Sequence, residues 1–541
     1  GASALAYNTT ASNNTAVGYQ AGYANVTNLY LTAIGYQALL SSTADENTAV
    51  GYHALRGTTT GAANTAVGDF SAFNNTTGSN NSIFGSNALG TNTTGSSNTA
   101  IGRLALAYNT TASDNTAVGL QALYSNTTAS YNTAVGKTAL YSNTTGSLNV
   151  AVGREALYGN TTGVHNTSVG HDNLYANNTG SYNTSLGSWA LQANTTASEN
   201  TAVGYQAGYS NTTGAENTGI GYGALRSTTT SSWSSGLGAY ALYNNTTGGY
   251  NTAFGAQALQ SNTTASDNTA VGSRAGYSNT TGAHNVALGK DALFNNTTAS
   301  NNTAVGYQAG YLNTTGGTYS GDMTAVGYQA LYGTTNSRST GIGAYAGTSN
   351  TTGYITAVGW GALYSNTTGT NNNAFGGNSI NAEGALQANT TGSENTAVGS
   401  GALANNTTAV QNTAVGYKAG FSLTTAGYNV AIGYQALYSN TTSYGENIAI
   451  GPNALYNTTT GYENVAIGRN TGNDNTTGGR NTFIGDGAGN FCTASNNTII
   501  GRFPGNNATL NITTSSGNIV LSDGDGNPRL WSNNLGRIFV P

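Results

Sequence analysis

The sequence is poor in charge, proline and cysteine. Charged residues make up 6% of its 541 residues, whereas a typical soluble domain carries about 25%. Four prolines exclude a proline-rich linker or a collagen, and the single cysteine, Cys492, excludes an internal disulfide framework. Only 14 residues are basic, against 19 acidic ones, which argues against nucleic acid as a partner. No apolar run reaches about 18 residues, so we expect no membrane insertion.

What the sequence has instead is a short tandem repeat, anchored on Asn-Thr-Ala-Val-Gly, of which Asn132–Leu148 is one full unit of seventeen residues. The anchor recurs at this constant spacing over Asn47–Asn217 and again over Asn251–Asn302. Two longer steps further along the chain place insertions near 317–320 and 377–382. The common helical repeats run to about 33 to 47 residues, and Thr, Val and Tyr favour strands. The period therefore predicts β-structure.

Seventeen residues suit one coil of a parallel β-solenoid, so we predict an all-β fold of about 32 coils and about 150 Å in length. One strand is expected at Asn-Thr-Ala-Val and a second at Gln-Ala-Leu-Tyr, with the glycine between them bending the chain. The array is predicted over 1–501, and a C-terminal hairpin or transition segment over 502–541. Because Gly1–Leu5 resembles the middle of a repeat, we expect the native chain to begin further upstream.

Variation between the repeats indicates what each position requires. The fourth anchor residue, as in Val118 and Val135, is always apolar, which predicts a core position. The residue before the anchor varies freely, as in Glu199, and is expected in an exposed turn. The anchor strand presents Thr and Val on one face and Ala and Gly on the other, without charge. One thin coil covers only one of these faces, so the other is predicted to pack against a neighbouring chain.

The units at Asn149–Leu157, Asn285–Leu293 and Asn464–Gly468 have the pattern Asn-Val-Ala-Val/Leu/Ile-Gly. This pattern resembles the head repeats of trimeric autotransporter adhesins, and it is similar to segments of viral and phage tail fibres. The resemblance covers nearly all of residues 1–501 and implies a left-handed parallel β-roll built from three chains. The sequence departs from the adhesin heads in length, because Asn-Thr-Thr-Gly widens one turn of each coil.

The Asn-Thr-Thr motif is an N-glycosylation sequon that recurs on the same register as the anchor. Two interpretations are open: attached glycans, or a ladder of Asn and Thr side chains bonded from coil to coil. We favour the ladder, with partial glycosylation left open, because sugars on successive coils would be rooted only about 5 Å apart. The candidate asparagines are Asn75, Asn92, Asn109, Asn126, Asn143, Asn160, Asn194, Asn211, Asn245, Asn262, Asn279, Asn296 and Asn313.

The last forty residues contain a candidate calcium loop, because Asp523, Asp525 and Asn527 alternate as cation ligands do. Pro528 stands where such a loop has glycine, so a tight turn is favoured. The turn would join two strands of a β-hairpin, at Ile519–Leu521 and Arg529–Trp531. This segment resembles the stretch that precedes the self-cleaving C-terminal chaperone of some tail fibres.

Catalysis is not expected, and no cofactor is indicated. The four histidines fall on different coils, and no nucleophile, base and orienting group converge. They are His53, His165, His171 and His284. A tyrosine recurs at Tyr124, Tyr141, Tyr158 and Tyr175; ring stacking between coils is favoured over binding of sugars.

These features together predict an extracellular structural fibre or filament, on a cell surface or a virion, assembled as a parallel homotrimer. A receptor- or glycan-binding adhesin or viral tail fibre, with cell-surface glycans as partners, is the first alternative. A glycan depolymerase on a solenoid scaffold is the second, and a pair of carboxylates facing one groove would favour it.

Overall fold

The computed structural model describes residues 1–314, 321–335, 338–377, 380, 383–441 and 445–540. The chain forms two compact units, Gly1–Asp267 and Asn268–Pro541. Every regular element among the described residues is a β-strand, which confirms the all-β prediction.

The first unit is a stack of short parallel strands, one in each coil. Equivalent residues align from one coil to the next, as in Thr116 with Thr133 and Val118 with Val135. The strands are β1 Thr15–Val17, β2 Thr32–Ile34, β3 Thr48–Val50, β4 Thr65–Val67, β5 Ser82–Phe84, β6 Thr99–Ile101, β7 Thr116–Val118, β8 Thr133–Val135, β9 Val150–Val152, β10 Thr167–Val169, β11 Thr184–Leu186, β12 Thr201–Val203, β13 Thr218–Ile220, β14 Ser235–Leu237 and β15 Thr252–Phe254.

The second unit has the same pattern of strands and ends in an antiparallel meander. Its strands are β16 Thr269–Val271, β17 Val286–Leu288, β18 Thr303–Val305, β19 Thr324–Val326, β20 Thr340–Ile342, β21 Ile355–Val358, β22 Asn372–Phe375, β23 Thr396–Val398, β24 Thr413–Val415, β25 Val430–Ile432, β26 Ile448–Ile450, β27 Val465–Ile467, β28 Thr482–Ile484, β29 Thr498–Ile500, β30 Ile519–Ser522, β31 Pro528–Ser532 and β32 Ile538–Phe539. β30 pairs with β29 in parallel and with β31 antiparallel, which forms the hairpin expected from the sequence.

The parallel β-solenoid and its period of about 17 residues are confirmed, with about 29 turns instead of 32. The difference arises because the insertions and the C-terminal meander use residues without adding coils. Some coils also depart from the period by a single residue. Thr32 aligns with Thr48, which is one residue short of the usual step, and Val430 aligns with Ile448, which is one residue beyond it. The left-handed sense implied by the adhesin resemblance stays a prediction.

The second strand predicted in each coil is wrong, because Gln-Ala-Leu-Tyr forms consecutive turns. Gln121 and Leu123 have φ angles of 56° and 51°, in the left-handed region, which no strand accommodates. The Leu123 N–H still donates to the carbonyl of Ala139 in the next coil, at 2.9 Å. Gly208 and Gly276 replace Leu at this position with φ of 60°, so the alternation of Leu and Gly reflects backbone conformation.

The predicted core position is also wrong. Val118 and Val135 point outward and are half-buried, whereas the middle residue of the strand, Ala134, is fully buried. The turn segment adds Leu123 and Leu140 to the interior. Side chains alternate across a strand, so only one of Ala and Val can face inward. In most coils the interior is narrow and accepts the smaller side chain at the strand and the larger one at the turn, whereas Ile83 and Phe483 are larger residues buried at the strand position.

The glycine after each strand is required by the close approach of the coils. Gly136 has a φ of 142°, and a Cβ on it would overlap the carbonyl oxygen of Gly153 in the next coil. The two insertions predicted near 317–320 and 377–382 fall largely outside the described residues. Of them, Gly377 and Ile380 are described, and the Ile380 side chain is 90% exposed.

Candidate functional site

The asparagines of the Asn-Thr-Thr motifs lie inside the coil, because each side chain folds back on its own turn. Asn143 Nδ2 donates to the Gly146 carbonyl at 2.9 Å, closing the turn three residues later. The same Nδ2 donates to Oδ1 of Asn126 in the preceding coil, also at 2.9 Å. All thirteen candidate asparagines are at most 2% exposed. The motif therefore builds a buried amide ladder from coil to coil.

A second ladder, which the sequence analysis did not identify, is formed by the anchor asparagines. Asn81 Nδ2 donates to Asn64 Oδ1 at 3.0 Å, and the Asn81 backbone N–H donates to the same oxygen. The two ladders meet at the turn: Asn81 and Asn92 both donate to the Gly95 carbonyl, at 3.0 and 2.8 Å. The signal for this ladder was the near-invariance of the anchor asparagine from repeat to repeat.

This geometry bears on the two interpretations of Asn-Thr-Thr. The side-chain ladder that the sequence favours is present at these asparagines. A glycan would be attached through Nδ2, the atom that donates in the ladder. Attachment at any of the sites stays a prediction, and it would require that coil to release its amide.

The tyrosines after each Ala-Leu turn form a second periodic feature, here called the Tyr rank. Tyr124, Tyr141, Tyr158 and Tyr175 stack with ring centroids 5.0–5.1 Å apart and ring planes within 6° of parallel. At the end of this run the Tyr124 hydroxyl donates to the Tyr108 hydroxyl at 3.4 Å. This hydrogen bond, together with burial, raises the pKa of Tyr124 to about 12. The ring stacking favoured by the sequence is present.

The Tyr rank is interrupted where Gly90 and Ala107 take the tyrosine position in two successive coils. The result is a cavity of roughly 300 Å³, here called the Gly90 notch. Its lining residues are Phe73, Asn74, Asn87, Gly90, Thr91, Leu104, Ala107, Tyr108 and Tyr124. This cavity was not predicted from the sequence, although two small residues in a row at an aromatic position were its signal.

A third feature is the outward face of the strands, here called the outer apolar rank. It consists of the fourth anchor residue of each coil, and none of these is charged. Many of its side chains are strongly exposed; in the first unit these are Val17, Ile34, Phe84, Ile101, Leu186, Leu237 and Phe254, at 38–57%. In the first unit the outer apolar rank is therefore a periodic, uncharged and partly exposed surface.

The histidines expected on different coils do not converge among the described residues. The rings of His53 and Tyr52 pack together with their centroids 3.9 Å apart. Burial, together with the nearby Arg56, lowers the pKa of His53. His171 Nδ1 lies 3.4 Å from the Asp172 carboxylate. The absence of catalysis stays a prediction.

The lone cysteine belongs to the core at the end of the array. Cys492 is fully buried in a cluster that includes Phe483, Ile499 and Phe503. Burial raises the pKa of its thiol to about 12, so the thiol is neutral at physiological pH. The side chain is therefore a packing group of the last coils.

The candidate calcium residues form the hairpin turn. Asp523 Oδ1 accepts the backbone N–H groups of Asp525 and Asn527 at 3.0 and 2.8 Å, and Arg529 Nε donates to Oδ2 at 2.9 Å. The Asn527 N–H and the Arg529 guanidinium lower the pKa of Asp523 to about 2. Among the described residues no three His, Cys, Asp or Glu side chains are grouped to hold a metal. Asp523 thus caps the turn and pairs with arginine.

Comparison with protein families, with curated proteins and with solved structures finds no significant match. Within the part of the chain that the structure describes, no helix could cross a membrane. The fold and its internal ladders define the chain as a tandem-repeat protein of the parallel β-solenoid class.

Proposed function

We propose that this chain is an extracellular structural fibre or filament protein, exposed on a cell or a virion. The observation that carries the proposal is the repeated bonding of one coil to the next within each unit. Besides the strands and the two asparagine ladders, Thr127 Oγ1 donates to the Thr144 carbonyl of the next coil at 3.1 Å, and this bond recurs along the array. Fifteen strands stacked about 4.8 Å apart give the first unit alone about 70 Å of solenoid.

We further propose that three copies assemble in parallel and in register, with the outer apolar rank at the interface. Soluble monomers rarely expose contiguous apolar patches above a few hundred Å², and this rank extends along every coil of each unit. The residues of the rank carry no charge, so identical copies can approach without repulsion. The β-branched and aromatic side chains of the rank are those that pack well between sheets.

The test is the mass and shape of the purified chain in solution. Sedimentation equilibrium is expected to give three times the 54.5 kDa of one chain, and negative-stain microscopy is expected to show thin rods. A double variant, Val135→Lys with Leu186→Lys, places charge on the outer apolar rank and should yield a folded monomer. A wild-type monomer, or an oligomer indifferent to these charges, would contradict the assembly.

A receptor- or glycan-binding fibre is a second candidate. Aromatic side chains line an exposed face of the first unit, and the Gly90 notch opens among them. Such a fibre would combine the same stiff rod with recognition of a partner at a cell surface.

A further inference from the structure

We propose that the Gly90 notch is a binding site for a neutral saccharide. The first ground is its pair of aromatic ends. Phe73 has its far side covered by Arg56, whose guanidinium carbon lies 5.6 Å from the ring centroid. Tyr124 has its far face covered by the stacked ring of Tyr141. Both rings are thus supported from behind, and Tyr108 packs edge-on against Tyr124 with ring centroids 4.9 Å apart, so these two tyrosines together form that end of the notch. The C–H faces of a pyranose ring pack on supported aromatic surfaces of this kind.

The second ground is the polar groups along the notch. Asn74 and Asn87 lie at its rim, and neither side-chain amide has a hydrogen-bond partner among the described residues. An amide offers two donors and one acceptor, which suits neighbouring hydroxyl groups of a sugar. Thr91 Oγ1 donates to the Ala107 carbonyl at 2.8 Å, which fixes its side chain as part of the wall. Pockets for small molecules combine apolar walls with a few such polar groups.

The third ground is the absence of charge. None of the lining residues is acidic or basic, so the notch offers no counter-ion for a phosphate, a carboxylate or an ammonium group. A neutral saccharide has apolar faces, several hydroxyl groups and no charge, and it therefore matches all three features of the notch. A planar apolar compound would form no hydrogen bonds with the two amides.

The fold does not require the notch, because a residue larger than glycine fits at position 90. A Cβ built there meets no atom closer than 3.4 Å, the carbonyl oxygen of Asn87. In another coil the same rank is filled by a residue that is not aromatic. Arg226 lies between Tyr209 and Tyr243, with its guanidinium carbon 5.4 and 5.5 Å from their ring centroids. The gap is therefore a local departure in sequence that opens a cavity.

This site goes beyond the proposed structural role and does not rest on it, because all the lining residues belong to one chain. A monomeric protein that binds saccharides through the notch would refute the trimer and leave this inference intact. A trimer that binds none would refute this inference alone.

The test is binding of cellohexaose, maltohexaose, mannohexaose and chitohexaose to the full chain, by saturation-transfer NMR and calorimetry. At least one of the four is expected to bind. Gly90→Tyr restores the tyrosine of the rank, fills the notch and should weaken binding at least tenfold. The control Gln192→Tyr fills the equivalent position of another coil and should bind within twofold of wild type.

A second variant guards against misfolding of the first. Asn87→Leu removes one amide, and Leu104 already occupies the same position of the next coil with a φ of 59°. It should fold as wild type and lose at least threefold in affinity. No binding of any of the four probes at millimolar concentration would overturn the inference. So would undiminished binding by a folded Gly90→Tyr or Asn87→Leu protein.

Discussion

A carboxylate placed in the buried asparagine ladder tests whether the ladder stabilises the coil. Asn177 Nδ2 donates to Asn160 Oδ1 and to the Gly180 carbonyl, each at 2.9 Å, and Asn177 Oδ1 accepts Asn194 Nδ2 at 2.8 Å. Asn177→Asp exchanges the donor nitrogen for an oxygen that faces two other oxygens. Only the bond from Asn194 survives.

The expected loss can be estimated from these contacts. Asn160 Oδ1 loses its side-chain donor, which costs about 1 to 3 kcal/mol for a buried group. The carboxylate is also buried without a cation, which raises its pKa above that of an unfolded Asp, and each unit corresponds to about 1.4 kcal/mol. We expect Asn177→Asp to lower the free energy of unfolding by about 3 to 5 kcal/mol in total at pH 7.

The sign of the pH dependence follows from the raised pKa. The folded variant binds the proton more tightly than the unfolded chain, so its stability falls as the pH rises through the folded pKa. Below about pH 4 both states are protonated, and the carboxyl O–H again donates to Asn160. The loss of stability relative to the wild-type protein should therefore be smallest at pH 3 and largest at pH 7.

The matched control is the neighbouring residue. Asn178 is exposed, and its Oδ1 accepts the hydroxyl of Thr161, which a carboxylate also does. Because solenoids open coil by coil, the readout is hydrogen exchange of peptides covering 160–194, alongside thermal unfolding at pH 3 and 7. Equal effects of Asn177→Asp and Asn178→Asp, or a deficit that does not grow with pH, would refute the reasoning.

Three further predictions concern single residues. Gly136→Ala places a Cβ on a backbone with φ of 142° and against the next coil, so it should lower the free energy of unfolding by at least about 3 kcal/mol. Gly90→Ala should instead raise the free energy of unfolding by up to about 1 kcal/mol. The melting temperatures of the two variants test this difference. Ala134→Asp buries an unpaired charge and should unfold its coil, while Val135→Asp on the outer face should reduce assembly instead, as sedimentation and hydrogen exchange would show. Glycopeptide analysis of native material should find Asn126 unmodified, and a sugar there would show that its coil does not form the ladder.

The type and period of the elements could be predicted because they depend on composition and spacing. Short repeat units rich in Thr and Val suit a coil with a strand, and the strands occur on the register of the anchor. The conformation of Leu123 could not be predicted from its propensity, since leucine rarely adopts positive φ. The glycines that replace it in other repeats were the available signal, and they indicate a left-handed residue only after the Ala-Leu segment is recognised as a turn.

Which face of the strand points inward also could not be read from hydrophobicity. Val135 is the more apolar residue, but Ala134 occupies the interior. The choice depends on the width of the coil, which is a property of the folded chain. In most coils the buried asparagines and leucines, such as Asn143 and Leu140, leave room for only a small side chain opposite them. Where glycine stands at the leucine position, as at Gly472 and Gly489, the larger Phe483 occupies the interior instead.

The interior of this solenoid also explains how a chain of nearly identical repeats keeps its alignment within each coil. An aliphatic interior would tolerate sliding of one coil over the next, because dispersion contacts have little directionality. An amide ladder does not, since a shift by one residue would remove both Asn81 donors from Asn64 Oδ1 and leave that oxygen buried without a partner. The ladder cannot distinguish one coil from another, because a slip by a whole repeat restores every bond. That distinction requires the aperiodic steps, such as Thr32 to Thr48, where a slipped coil would be one residue too long or too short. The buried amides thus fix the register within a coil, and the irregular coils fix which coil follows which.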